Sequence, residues 1–159
     1  MYEQARHDLY SMTGKYSQIK GQFAEFAVIN QLRLHATEQE DLFRSITHNL
    51  PKDFRFAEYS FVWSYKLARQ DRRDMWIDVF ARAEDDEYSL IGEIKYREKP
   101  CFSVAEVEAF LRKAQTLQNQ EHLTKTALFV LCSAGFAPDT LDYFDKHGIA
   151  YSDDERWLG

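Results

Sequence analysis

"MWIDVFARAEDDEYSLIGEIKYR", residues 75–97, decides the fold, because it joins two β-prone runs through a short polar segment. Residues 74–83 and 88–97 are rich in β-branched and aromatic side chains, and the acidic residues 84–87 separate them. Two such runs on either side of a polar turn are typical of a β-hairpin. The stretch therefore predicts a pair of antiparallel strands.

Three charged residues lie inside these runs, and the register of the hairpin places them together. We take Asp85 and Asp86 as the centre of the turn. Asp78 then lies directly opposite Glu93, with Cβ atoms roughly 4.5–5.5 Å apart, and Lys95 follows on the same face. The opposite face is apolar or glycine throughout, which predicts a core face. It consists of Met75, Ile77, Val79, Ala81, Leu90, Gly92, Ile94 and Tyr96.

The opposed carboxylates admit two interpretations. Like charges directly opposite each other destabilise a sheet unless something compensates, and the apolar residues Trp76, Phe80 and Ile91 on the same face would lower the local dielectric. Two carboxylates and a lysine among apolar groups suit an oxygen-ligated divalent cation with a water molecule beside it. The alternative is a solvated hairpin face on which Lys95 neutralises a carboxylate. The spacing alone leaves both interpretations open.

Upstream of the hairpin, the sequence predicts one helix, one loop and one strand. Residues 17–35 are helical by their three- and four-residue apolar steps, and residues 1–16 are expected to be helical in part. Residues 37–53 end in the loop signal NLPKD, and residues 59–68 predict a strand. The apolar side chains predicted to form the buried stripe of the helix are Ile19, Phe23, Phe26, Ala27 and Leu34.

Downstream of the hairpin, helices and strands alternate. Ser103 and Glu106 form a capping box at the start of a helix. The apolar run of residues 126–133 predicts a strand covered on both faces, and a short helix bounded by Pro138 and Gly148 leads to a last strand. The order α-β-β-β-α-β-α-β predicts an α/β fold: a mixed central sheet flanked by helices, antiparallel at first and parallel later.

The order of elements and the charged residues resemble the restriction-endonuclease-like superfamily, the PD-(D/E)XK nucleases. WID at residues 76–78 and GEIKYR at residues 92–97 match its Asp and Glu-x-Lys pattern, with Ile77 in place of a proline that ligates nothing. GQFAE at residues 21–25 is similar to its glycine-x-x-x-glutamate pattern. The resemblance covers roughly residues 17–152, nearly the whole chain.

This resemblance implies a role for each site residue. Asp78 and Glu93 would ligate Mg²⁺ or Mn²⁺ together with the carbonyl group of Ile94. Lys95 would orient or deprotonate the attacking water and steady the charge that grows on the phosphate. Glu25 would bind a second metal ion or hold water on the metal, and a solvated helix residue is the alternative for it. Phosphodiester hydrolysis needs an activated water and a neutralised phosphate, and a hard cation supplies both.

Basic residues just before the Asp78 strand predict a contact with DNA, and an ordinary solvated loop is the alternative. The strip consists of Lys66, Arg69, Arg72 and Arg73. Because the net charge is −6, we expect no strong attraction of nucleic acid by the whole surface. Lys113 and Gln115 on the later helix sometimes have counterparts near such sites in the superfamily, and plain surface residues are the alternative for them.

Length and composition fit one domain with its own core, because 45% of the 159 residues are apolar, and the resemblance implies that this domain is nuclease-like. Residues 131–153, LCSAGFAPDTLDYFDKHGIAYSD, also resemble the tail of a nuclease-like domain at the C-terminus of certain archaeal and bacterial ATPases. The chain is therefore interpreted as a domain of a larger ATPase, or as a partner of an ATPase subunit. It contains no phosphate-binding glycine loop of its own.

We expect a cytoplasmic, metal-dependent nuclease that hydrolyses phosphodiester bonds in DNA. No apolar run reaches the length of a membrane span, and Cys101 and Cys132 show no metal-ligand spacing. Two alternatives stay open: a catalytically silent module of the same fold for regulation or partner binding, and an assembly domain whose interface includes Trp63, Tyr65 or Trp157. The form of the DNA and a homodimeric state also stay open.

Overall fold

The computed structural model describes residues 2–67 and 75–159, with side chains from residue 19 onward. Its helices are α1 (Tyr2–His35), α2 (Glu40–Ser45), α3 (Val104–Gln120) and α4 (Pro138–His147), followed by a terminal 3₁₀-helix (Glu155–Leu158). Its strands are β1 (Phe61–Lys66), β2 (Trp76–Arg82), β3 (Ser89–Lys95), β4 (Thr126–Cys132) and β5 (Ala150–Ser152). None of the helices in this part of the chain has both the length and the hydrophobicity of a membrane span.

The five strands form one mixed sheet in the order β1-β2-β3-β4-β5. The hairpin strands pair antiparallel, β1 extends them as a meander, and β4 and β5 join in parallel through helical crossovers. The predicted α/β class and the predicted order of elements are therefore confirmed. The prediction missed α2, because six residues are too few to show a helical period in the sequence.

Helices cover both faces of the sheet and divide the core in two. On the α1 side, Val28, Leu32, Val79 and Phe129 pack together with Trp157. The indole of Trp157 is fully buried, stacks on Phe43 with 4.4 Å between ring centroids, and donates a hydrogen bond to Thr47 Oγ1 at 3.0 Å. Trp157 is therefore a core residue and is not available for the aromatic interface that the sequence suggested for it.

The second half of the core lies under α3 and α4. Phe110 from α3 and Phe144 from α4 are fully buried there, against Ile91 and Val130 of the sheet. The predicted capping box of α3 is present, with Ser103 and Glu106 bonded to each other's backbone N–H groups. α4 ends where predicted, at a glycine in the left-handed conformation.

The buried face of α1 differs from the prediction. Ala24, Val28, Ile29 and Leu32 face the sheet, whereas the larger apolar side chains of the predicted stripe are exposed. Both faces of this helix carry apolar residues, so the helical period alone does not select the one that packs. The small side chain of Ala24 allows the close approach that the sheet requires. The exposed members of the predicted stripe are Ile19, Phe23, Phe26 and Leu34.

Both outer strands of the sheet are covered in part along their free edges. On the β1 side, Arg33 of α1 donates a hydrogen bond to the carbonyl oxygen of Val62 at 2.7 Å, and its guanidinium lies 4.8 Å from the centroid of the Trp63 ring. On the β5 side, the backbone of His48 exchanges two hydrogen bonds with Tyr151, at 2.8 and 3.0 Å. These contacts occupy backbone groups that an edge strand would otherwise leave open.

Candidate functional site

The hairpin has the predicted register, but its pairing ends one residue before the charged pair. Phe80 lies opposite Ile91, and Val79 lies opposite Gly92. The ladder stops there, so Asp78 is not paired with Glu93 as a regular cross-strand neighbour. The two strands separate at the point where the sequence places the carboxylates.

A β-bulge in the pairing of β1 with β2 lies at the same place. Trp63 of β1 lies opposite Phe80, whereas Tyr65 lies opposite Ile77, so one residue of β1 faces both Asp78 and Val79 of β2. An extra residue of this kind bends a strand and reverses the alternation of its side chains. Ile77 and Phe80 accordingly pack into the same half of the core, although they are three residues apart. The strict two-face pattern predicted for residues 74–83 is therefore wrong on the N-terminal side of the bulge.

The side chain of Asp78 replaces the missing backbone pairing. Its Oδ2 atom accepts a hydrogen bond from the backbone N–H of Ile94 at 2.8 Å. A carboxylate thus occupies the gap between β2 and β3, where a neighbouring strand would otherwise supply a carbonyl oxygen. Because the gap opens the sheet, side chains from the helices on both faces reach the same space.

An open pocket of about 330 Å³ fills this gap. Asp78, Glu93 and Lys95 line it from the sheet, and Glu25 reaches it from α1. The structure therefore brings together all four residues that the resemblance assigns to the catalytic site. The remaining lining residues, which the sequence analysis had not assigned to catalysis, come from one face of α3 and are Glu106, Ala109 and Lys113.

Glu93 is a strongly perturbed acid of the pocket. Its side chain is only 7% exposed. Burial and the neighbouring negative charge of Asp78 raise the pKa of Glu93 to about 8, against the attraction of Lys113 and Lys95, and a hydrogen bond to Asp78 adds to the rise. At neutral pH and without a cation, the acid therefore holds a proton. A buried carboxyl group with a shifted pKa in a cleft is typical of a functional site.

Lys113 belongs to this site rather than to the open surface. Its Nζ atom lies 3.5 Å from Glu93 Oε1 and donates a hydrogen bond to the carbonyl oxygen of Trp76 at 3.1 Å. The side chain is 18% exposed. Gln115 lies elsewhere: it is exposed and bonds to Asn119 on the same helix. Lys113 was named in the sequence only through the family resemblance; its spacing of seven residues from Glu106 puts both on one helical face.

We predict that Lys113→Met raises the pKa of Glu93 by about one pH unit, because it removes an opposite charge close to the carboxyl group. The pKa can be measured by titrating the side-chain carboxyl ¹³C shift of Glu93. Gln115→Met is the matched control, since Gln115 lies on the same helix outside the pocket, and it should leave that pKa unchanged. An unchanged pKa in Lys113→Met would contradict the ion pair.

Glu106 lines the pocket, but both of its carboxylate oxygens accept hydrogen bonds from Arg97, at 2.7 and 3.0 Å. Burial alone would raise the pKa of Glu106, but the hydrogen bonds from Arg97 and Ser103 outweigh it and lower that pKa. Glu106 therefore stays ionised and holds α3 against the end of β3. It sets one wall of the pocket without offering free carboxylate oxygens.

The donor set suits a hard divalent cation with two protein carboxylates. In residues 2–67 and 75–159, no three His, Cys, Asp or Glu side chains cluster closely enough to hold a metal ion by themselves. Mg²⁺ needs no such cluster, because it keeps several waters and takes one or two carboxylates. Asp78 and Glu93 fit that requirement. Glu25 lines the pocket without completing a three-carboxylate cluster, so its position suits contact with water better than direct ligation.

The predicted basic strip is described only at its first residue. The Nζ atom of Lys66 lies 5.7 Å from the centroid of the Trp76 ring, at the end of β2 that leads into the pocket. Arg69, Arg72 and Arg73 lie outside the described residues. Lys66 is therefore placed beside the start of the site strand, as the sequence predicted.

Comparison with known proteins found no match for this chain. Neither a family model nor a curated protein nor a solved structure matches the chain. The function is therefore inferred from the geometry and charges of the site itself.

Proposed function

We propose that this protein is a metal-dependent nuclease that hydrolyses phosphodiester bonds in DNA, built on a restriction-endonuclease-like domain. The observation that carries the proposal is the meeting of Glu25, Asp78, Glu93 and Lys95 in one pocket at the gap between two strands. Asp78 also accepts a hydrogen bond from the backbone of Ile94, but the sheet has no structural need for a second, buried acid beside it, because the two carboxylates repel each other when both are ionised. A function that needs both explains their position.

Each residue of the pocket would have a separate role in the hydrolysis. A divalent cation held by Asp78 and Glu93, with the Ile94 carbonyl as a further oxygen, would supply an activated water and neutralise phosphate charge. Glu25 would hold water on the α1 side. Lys95 is half-buried beside the carboxylates and would place the attacking water and neutralise the phosphate oxygens.

The route to the pocket is compatible with a polyanionic substrate. Lys66 lies at the entrance of the site strand and Lys113 forms part of the wall. A cation bound by Asp78 and Glu93 would balance the charge of the ionised Glu93, so the positive charge of Lys113 could attract a phosphate. Gln115, which the sequence analysis grouped with Lys113, has no such position.

A second candidate is a catalytically silent module that regulates or binds a partner such as an ATPase. It is favoured by the raised pKa of Glu93, because a protonated Glu93 beside Asp78 allows the pocket to persist without a metal ion. The net charge of −6 also favours it. The two candidates differ in whether the pocket binds a divalent cation.

The test is to measure Mn²⁺ binding by calorimetry beside cleavage of supercoiled, single-stranded and branched DNA. The parent protein should bind the cation and cleave at least one of these substrates. Asp78→Asn should lose the cation and lower cleavage by about 100-fold or more, since it removes a ligand. Asp145→Asn, an exposed aspartate of α4, is the matched control and should behave as the parent. A parent without metal binding and cleavage would favour the silent module.

A further inference from the structure

The outward face of α1 carries an apolar stripe that its own domain leaves largely exposed, apart from an edge-to-face contact of Phe26 with Trp63. Ile19, Phe23 and Phe26 are 48%, 69% and 49% exposed, and they point away from the buried residues of the same helix. An open groove of about 280 Å³ runs beside Phe23 and Phe26 and continues to Leu34. Contiguous exposed aromatic and aliphatic side chains of this kind mark an interaction surface.

The spacing of the stripe identifies the kind of partner. Along α1, the residues of the stripe follow one another at alternating steps of three and four positions. This gives a seven-residue repeat that is kept over four heptads. Its members are Tyr2, Ala5, Leu9, Met12, Tyr16, Ile19, Phe23, Phe26 and Asn30. A repeat sustained over four heptads is the signature of a coiled-coil seam. The continuous helix Tyr2–His35 is roughly 51 Å long, enough for the whole seam.

The two faces of α1 have separate uses. The buried face begins, among the described side chains, at Ala24 and holds the sheet, whereas the seam extends toward the N-terminus from Phe26. The seam ends at Asn30, just before Arg33 turns back to bind Val62. A polar residue at one core position of a coiled coil is a usual device for fixing the register of the partner.

We propose that α1 pairs with α1 of a second copy of this chain. A seam with this repeat requires a partner helix of the same repeat, and the chain supplies one, so the contact is self-complementary. The acidity of the chain is not concentrated at the seam; the flanks of both copies carry a net positive charge, and salt screens the resulting repulsion. The positions that flank the seam contain one acid, Asp8, and three bases, Arg6, Lys15 and Lys20. The proposal does not depend on the nuclease activity, since no residue of the seam lines the pocket.

The experiment is sedimentation of the full chain over a range of concentrations. The parent should sediment as a dimer, with twice the mass of 18.8 kDa. The double variant Phe23→Glu/Phe26→Glu should weaken the dimer by about 100-fold or more, because it places charges in the seam. Leu9→Glu should weaken it comparably, since the repeat continues to that position, whereas a patch confined to Phe23 and Phe26 would not respond.

Phe61→Glu is the matched control. Phe61 is 45% exposed, close to the value for Phe26, but it lies on β1, so its replacement should leave the dimer intact. Circular dichroism of each variant should show the helix and strand content of the parent, because the replaced phenylalanine side chains are exposed. A parent that stays monomeric at about 100 µM, a concentration well above typical dimer dissociation constants, would overturn the proposal. A dimer insensitive to Leu9→Glu would also overturn it.

Discussion

Replacing Lys95 by alanine should lower the rate of DNA cleavage on the order of hundreds-fold, comparable to the removal of one preorganised electrostatic group. The affinity for the divalent cation should stay the same or rise slightly. The two effects separate because a protonated lysine donates hydrogen bonds and cannot ligate a metal. Removing its positive charge also removes a like charge from the neighbourhood of the cation that Asp78 and Glu93 hold.

The measurement is Mn²⁺ affinity by calorimetry beside plasmid nicking, for the parent and for Lys95→Ala. Lys99→Ala is the control, because Lys99 is an exposed lysine four residues further along the chain and outside the pocket. It should match the parent in both assays. If Lys95→Ala loses metal affinity in proportion to cleavage, Lys95 supports the metal site and does not act on the substrate.

Replacing Glu93 by glutamine should abolish metal binding and yet stabilise the metal-free protein at alkaline pH. The pKa of Glu93 is raised to about 8 from an ordinary value of 4.5. Below pH 4.5 the acid is protonated in both the folded and the unfolded chain and has no effect on stability. Between pH 4.5 and 8, Glu93 is ionised in the unfolded chain but still protonated in the folded protein, so the parent loses stability as pH rises. Above pH 8 the group is ionised in both states and the loss stays constant.

Because glutamine does not ionise, Glu93→Gln should avoid this loss. We expect its free energy of unfolding to exceed that of the parent by about 4 kcal/mol at pH 8, with little difference at pH 4. Urea unfolding at the two pH values measures this. Adding Mg²⁺ at pH 8 should raise the stability of the parent and leave Glu93→Gln unchanged.

Glu106→Gln is an informative contrast from the same pocket. The pKa of Glu106 is lowered in the folded state, since the hydrogen bonds from Arg97 outweigh burial. Its contribution to stability is therefore present above its ordinary pKa and is lost as pH falls through the lower folded value. Glu106→Gln should destabilise the protein at neutral pH, with a smaller effect in acid. Equal behaviour of the two variants would contradict the opposite pKa shifts of the two glutamates.

The sequence was sufficient for the order of elements and for the register of the hairpin. Both follow from local signals: the polar turn between the strands, the capping box of Ser103 and Glu106, and the apolar run that became β4. The residues Asp78, Glu93 and Lys95 also stand out locally, because charges inside β-prone runs are unusual. Glu25 came from the family resemblance, and the structure brings it into the same pocket.

What the sequence did not reveal depends on contacts between distant residues. The bulge at Asp78 and Val79 adds one residue to β2 opposite Ser64 without disturbing the apolar pattern of the strand. The sequence named Lys113 only through the family resemblance and did not pair it with Glu93; the packing of α3 beside the open strands brings the two together. For α1, an apolar residue on either face satisfies the helical period, so the choice of core face depends on side-chain size.

The contacts at the two outer strands have a consequence for how copies of the protein can associate. An uncovered strand edge invites intermolecular strand addition, which leads to enlarged sheets and fibrils. Arg33 occupies an outward carbonyl of β1 at Val62, and His48 satisfies Tyr151 of β5 on both its backbone groups. These contacts disfavour growth of the sheet by strand addition at β5 and at one position of β1, whereas the exposed stripe of α1 offers a contact between copies that uses no strand edge.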